Sequence, residues 1–357
     1  MKKGIVLTAI VVVLAAAAGF MFYSFKDKGS ESAADVSVST ENNEKLLVSI
    51  TDTDLLTKYY ENDKVIHEEK LTSYPAFALD QEQQALYYTS NNDQNEMRLF
   101  KLDLKSDKKT MLYKGPESAD SLFLSKDRSK IYFRLGKADE SNFRIASFDL
   151  KTKKYKNLYP AANDQDDSVS SFFYNQKTDS FALLHYSVEE DYKKTDEANE
   201  KGIDPEPTKI HFSAGHESGL HELKSLKQFI SDIAVSDDDK RILFTSYTQK
   251  GTEQTASIQM LNADTKTYEK IISNQKTYKL LIDAQPQFSK DGKKIYFLAE
   301  AKGAKKLKDE TGREAKVRTI YSYDLDTKTF KKVWENPNGI INSFSVINRK
   351  NHSAHAE

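Results

Sequence analysis

The sequence predicts an all-β fold: a six-bladed propeller of four-stranded antiparallel blades, closed by its N- and C-terminal strands and preceded by one transmembrane helix. Three observations carry that prediction. A ten-residue stretch, FSKDGKKIYF at 288–297, recurs along the chain; a second shared segment follows it; and the two ends hold complementary fragments of one further unit.

The first element is MKK followed by GIVLTAIVVVLAAAAGFMFY, residues 4–23, an uncharged apolar run long enough to cross a bilayer as a helix. Lys2 and Lys3 before it place the N-terminus in the cytoplasm and the rest outside, although Lys26 and Lys28 weaken the asymmetry. Residues 1–23 are therefore expected to be a single-pass anchor in a bacterial cell membrane. Cleavage as a signal peptide near the small residues Ala15–Ala18, followed by secretion, is the alternative. Residues 24–44, rich in Ser, Glu, Asn and Asp, read as a polar tether.

From residue 45 to 357 the chain reads as repeats. Starts equivalent to Phe288 occur at Leu79, Leu124, Tyr174, Val235 and, degraded, Val346, so successive units begin 45, 50, 61, 53 and 58 residues apart. RTIYSYDLDTKTFKKVW (318–334) aligns without a gap with FRIASFDLKTKKYKNLY (143–159), MRLFKLDLKSDKKTMLY (97–113) and ASIQMLNADTKTYEKII (256–272); IHFSAGHESGLHELKSL (210–226) is a weaker copy. Each unit is then two hairpins, one turning at Ser-x-Asp-Gly-Lys and one at Asp-Leu-x-Thr-Lys. Four strands in a repeat of roughly 40–50 residues make a propeller blade, which buries its faces only against neighbours. The last copy supplies one strand near 343–347 and stops. Residues 46–71 supply the strands it lacks, and pairing the two closes the ring without open edges. Leu46–Thr51 and the tail near His352 compete for the second strand of that sixth blade, and the first is the more apolar.

These motifs resemble the blades of TolB-like six-bladed β-propellers, a family of WD-like repeats. The resemblance spans residues 45–357 and implies architecture more than activity, because such propellers serve as exported binding proteins, assembly factors and peptidase gating domains. The chain departs from the last group in having no hydrolase domain and from TolB in having no separate domain before the propeller.

Composition excludes several functions. The 53 basic and 54 acidic residues nearly cancel, so nothing points to nucleic acid. Without cysteine there are no disulfides, thiolate nucleophiles or zinc-thiolate sites. No Gly-x-Ser-x-Gly elbow or phosphate-binding glycine loop is present. His211, His216 and His221 fall five apart, which a regular strand places on alternating faces rather than around one metal. Acidic turns such as SDDDK (236–240), NDQDD (163–167) and DLDTK (324–328) raise calcium, but their repetition fits Asp side chains closing turns, so no cofactor is expected.

The short turns should share one face of the disc and the long loops the other. Residues 187–208 hold eight acidic and three basic residues; 299–318 hold seven basic and four acidic. Both join the second strand of a blade to the third, in the third and fifth blades, and should flank the fourth on one rim. Glu189, Glu190 and Asp191, with Lys302, Lys305, Lys306 and Lys308, are the candidate binding residues. The expected function is a membrane-anchored, extracytoplasmic, monomeric propeller that binds or scaffolds a protein or cell-envelope polymer. A metal-dependent hydrolase or lyase with its site in the central channel is the alternative. No catalytic residue is assigned.

Overall fold

The computed structural model describes residues 37–38, 44–71, 75–91, 96–115, 117–136 and 142–348. The anchor read at 1–23 and most of the tether read at 24–44 lie outside them. Among the described residues no helix is long and apolar enough to cross a membrane.

Six sheets form the ring. Written from the channel outward, the first four blades are Phe77–Asp80, Ala85–Asn91, Met97–Asp103, Lys108–Gly115; Ser118–Leu124, Lys130–Gly136, Phe143–Asp149, Tyr155–Tyr159; Asp167–Asn175, Ser180–Ser187, Lys209–His216, Gly219–Lys227; and Phe229–Val235, Arg241–Lys250, Glu253–Asn262, Tyr268–Ser273. In the fifth, Tyr278–Leu280 and Gln287–Phe288 share the innermost place beside Lys294–Ala301, followed by Thr319–Asp324 and Phe330–Glu335. The sixth is Gly339–Asn348, Glu44–Asp52, Leu56–Glu61, Lys64–Lys70. Glu44–Asp52 pairs with Gly339–Asn348 from Glu44↔Asn348 to Asp52↔Gly339, so the more apolar N-terminal strand takes the contested place and closes the ring.

The tether contributes one strand of its own. Ser37 and Val38 pair antiparallel with Glu335 and Trp334, adding an outermost strand to the fifth blade before the chain reaches the sixth. The short motif that repeats is turn chemistry, as expected. In the fifth blade Ser289 Oγ donates to Asp291 at 2.6 Å, Lys293 N donates to Asp291 at 3.0 Å, and Lys294 N donates to Ser289 Oγ at 2.8 Å. Ser125, Asp127 and Ser129 repeat that pattern in the second. The Ser129 backbone N–H and the serine hydroxyls hold the Asp127 carboxyl at about 2, below the usual range. These aspartates are filled by amide donors from their own turns, which is the structural role favoured over calcium.

Apolar clusters fill the interfaces between adjacent blades, with one at each of the six. The clusters on either side of the sixth blade pack Leu46, Val48 and Ile50 against the fifth and Leu47 and Tyr59 against the first. This strand thus carries core on both faces, which is why Leu46, Leu47, Val48 and Ile50 follow one another with only Ser49 between them rather than alternating with polar residues.

Candidate functional site: the long-loop face and the channel

Strand polarity sorts the turns as expected. The Ser-x-Asp and Asp-Leu-x-Thr-Lys turns lie at one end of the blades, and the charged insertions leave from the other, after Ser187 and Ala301.

The acidic insertion is a helix rather than the loop the sequence suggested. Helix α1, Val188–Lys201, starts at the N-cap Ser187, whose Oγ accepts from Glu190 N at 3.0 Å, and ends at Gly202 in the left-handed conformation, φ 63°. Asp166 from the start of the third blade secures it, accepting from Ser187 Oγ at 3.0 Å and Glu189 N at 2.8 Å. Acidic residues fill the first turn, where the helix dipole favours them. Beside the helix runs an open groove of about 690 Å³ lined by Asp166, Glu189, Asp196, Glu197, Glu200 and the half-exposed ring of Tyr192, with Lys193 the one cation on its wall.

The three acidic candidates therefore separate. Glu189 faces the groove, but Glu190 pairs with Lys194 at 2.6 Å and Asp191 accepts from Thr208 Oγ1 at 2.6 Å, both holding the insertion together. Asp196, Glu197 and Glu200, which the sequence reading did not single out, complete the acidic wall. Helical spacing from Glu189 would have found them had the helix been recognised.

The basic insertion contains a small hairpin, Lys306–Lys308 with Glu314–Lys316. Lys306 is tied to Glu314 across it, while Lys302, Lys305 and Lys308 are exposed. The two insertions do not meet over the fourth blade. Asp204, just beyond helix α1, accepts from Gly251 N in the fourth-blade hairpin at 2.9 Å. The fifth-blade hairpin leans the other way: Glu310 N donates to Thr53 O at 3.0 Å and its carboxylate pairs with Lys70 at 3.0 Å, both in the sixth blade. Among the described residues no ion pair joins the two insertions. Backbone and charge contacts to the sixth blade outweigh attraction across open solvent.

The channel has a volume of about 760 Å³ and is lined by the innermost strands of all six blades. Its carboxylates are dispersed. Asp120 is bound by the Arg134 guanidinium at 2.8 and 2.6 Å, and Asp237 pairs with Lys177 at 3.5 Å toward the short-turn end. Asp232, half-buried, accepts from Gln285 N at 3.1 Å; burial and then the nearby Asp283 charge push its carboxyl up to about 7. Among the described residues no group of three or more His, Asp or Glu side chains is placed to hold a metal. The three evenly spaced histidines do not converge: His211 bonds Glu222 at 2.9 Å, His216 bonds the Asp179 carbonyl at 2.8 Å, and His221 lies on the neighbouring strand opposite Ala214.

One cluster escaped the sequence altogether. His185 contacts Asp167 through Nδ1 at 2.9 Å and Ser213 through Nε2 at 2.9 Å, with Tyr159 OH 3.0 Å from Nδ1 and His211 stacked on its ring. The order Asp–His–Ser is that of an activated nucleophile. Ser213, however, is 5% exposed in mid-strand and faces Glu222 across the sheet, where the acyl group of a substrate has no approach. The chain of bonds joins the outer strand of the second blade to the third, and only the strand register brings its members together.

No protein-family model matches this chain. It is 86% identical over 331 residues, 93% of its own length and 95% of the other's, to the uncharacterized protein YdjN of Bacillus subtilis (strain 168). TolB from Acinetobacter baumannii superposes with a TM-score of 0.56 at 14% identity, covering 87% of this chain and 68% of that one. An oligogalacturonate lyase in complex with manganese follows at 0.53 and 13%, covering 85% and 74%. At such identities the likeness is one of fold, and it establishes the TolB-like six-bladed propeller.

Proposed function

The chain belongs to the family of the Bacillus subtilis protein YdjN, and we propose that it is a membrane-anchored extracytoplasmic propeller that binds or scaffolds a protein or cell-envelope polymer through its long-loop face. The observation that carries this reading is the groove beside helix α1. Five carboxylates, of which Glu197 lies 3.9 Å from Lys201, and a half-exposed tyrosine line a shallow, open surface on an element capped at both ends and held to the third blade by Asp166. A pre-ordered acidic wall with an aromatic ring suits a cationic segment of a partner, since little ordering cost remains at binding. The dispersed channel carboxylates give the hydrolase alternative no comparable support.

Capture of envelope components by the immobilised full chain provides the test. Glu189→Lys, Asp196→Lys and Glu200→Lys together are expected to reduce capture by at least about tenfold, the order of effect of reversing several rim charges. Asp264→Lys with Asp326→Lys, on the short turns, should leave it unchanged. Equal capture by the two variants would remove the proposal.

A further inference from the structure

We propose that the lysine-bearing hairpin of the fifth blade rests on the anionic phospholipid surface of the membrane, so that the long-loop face is the membrane-facing side of the ring. This rests on the anchored reading above and names what the basic half of that face meets.

The first observation is a charge balance. All four acids of the insertion are already spoken for: Glu300 by Lys316 at 3.1 Å, Asp309 by Arg313 at 3.4 Å, Glu310 by Lys70 at 3.0 Å, and Glu314 by Lys306. Arg318 is taken by Asp283 at 3.1 Å. Lys302, Lys305 and Lys308 remain exposed, with no acid of the insertion left for them. Lys276 joins them from the preceding connection, where the Thr277 carbonyl accepts from Lys302 N at 2.7 Å. The hairpin is thus a fixed cationic patch, built on a buried Leu307 and Val317, and its acids cannot neutralise it without giving up their own partners.

The second observation is where the chain enters. Ser37 pairs with Glu335, at the same end of the fifth blade from which the insertion leaves, and Val38 pairs with Trp334, one step toward the short turns. The polypeptide therefore arrives at the propeller from the long-loop side, on the blade that carries the patch. Thirteen residues, 24–36, separate this point from the apolar run ending at Tyr23, a contour of at most ~45 Å. A propeller held that closely at one edge brings the patch within reach of headgroups, and each lysine near an anionic leaflet gains from its potential within a Debye length. A soluble anionic polymer would meet the same lysines, but the entry point of the chain favours the bilayer.

The chain has no cysteine, so single labels can be placed at will. The full-length protein is reconstituted in vesicles with a donor dye on Ala304→Cys, in the insertion, or on Asp326→Cys, at the short-turn end of the same blade. Energy transfer to a headgroup acceptor is then measured. With phosphatidylglycerol present, transfer from position 304 should exceed that from 326. The difference should be lost in pure phosphatidylcholine, in 1 M salt as order-of-magnitude screening requires, or on combining Lys276→Glu, Lys302→Glu, Lys305→Glu and Lys308→Glu. Equal transfer from the two positions, or a difference indifferent to lipid charge and to the reversal, overturns the inference. So does a hairpin remote from the bilayer that binds soluble polyglycerol phosphate through the same lysines. A chain released from the vesicles by alkaline carbonate contradicts the anchored reading itself, and the inference with it.

Discussion

Trp334, the single tryptophan, shows how much one side chain can hold. It is fully buried between the fifth and sixth blades, donates its indole N–H to the Asn62 carbonyl at 2.7 Å, and meets Tyr60 edge-on at 5.5 Å. Trp334→Ala removes both packing and a satisfied polar contact at the joint where the chain's two ends meet. It should cost about 3–5 kcal/mol in denaturant unfolding followed by circular dichroism. Asp232 makes the opposite prediction. A carboxyl raised to about 7 takes up a proton on folding, so its contribution is most favourable below about pH 4, the ordinary aspartate value, and is lost as pH rises toward 7. Asp232→Asn should therefore gain stability over the parent progressively between those pH values. The gain should reach about 1–2 kcal/mol at pH 8, less than the full linkage value because the amide offers one acceptor where the carboxylate offers two. Equal melting temperatures at pH 4 and pH 8 would contradict it. Asp232 does not stand out in the sequence: it is one aspartate among many, and its raised carboxyl follows from its place on the innermost strand and from Asp283 arriving from the next blade.

At the scale of the element, the turns were legible and the insertions were not. Ser-x-Asp-Gly-Lys states its own geometry, since a short acceptor side chain bonds the next amides and glycine relieves the left-handed position, as Gly292 does at φ 69°. Helix α1 carried signals as well: Ser187 as cap, acids in the first turn, Glu190 with Lys194 one turn apart, and Gly202 at the end. They were masked because only Val188 and Ala198 of the helix are buried, leaving almost no apolar periodicity. Ser187→Ala removes the acceptor for Glu190 N and should weaken the helix by about 1 kcal/mol. Amide exchange within Val188–Lys201 should rise while the global transition stays put; a matching fall in global stability would show that the helix is part of the cooperative core.

For the whole molecule, the repeats and the complementary fragments sufficed to foresee a closed ring, because each blade needs two neighbours and the strands at 44–70 and 339–348 complete one blade between them. The opposed charges of the two insertions were legible too, but their partners were not. Which acids stay exposed depends on helical phase, and the fifth-blade hairpin turns toward the sixth blade through Thr53, 257 residues earlier than Glu310, a contact no local pattern announces. The central claim is that the groove beside helix α1 is the docking surface. It is tested most directly by site-specific photo-crosslinking of the full-length protein in intact envelopes, with benzoylphenylalanine at Tyr192 in the groove or at Tyr268 on the outer strand of the fourth blade. The account predicts a discrete adduct from position 192 and none from 268. No adduct at 192, or the same adduct from both positions, would contradict it.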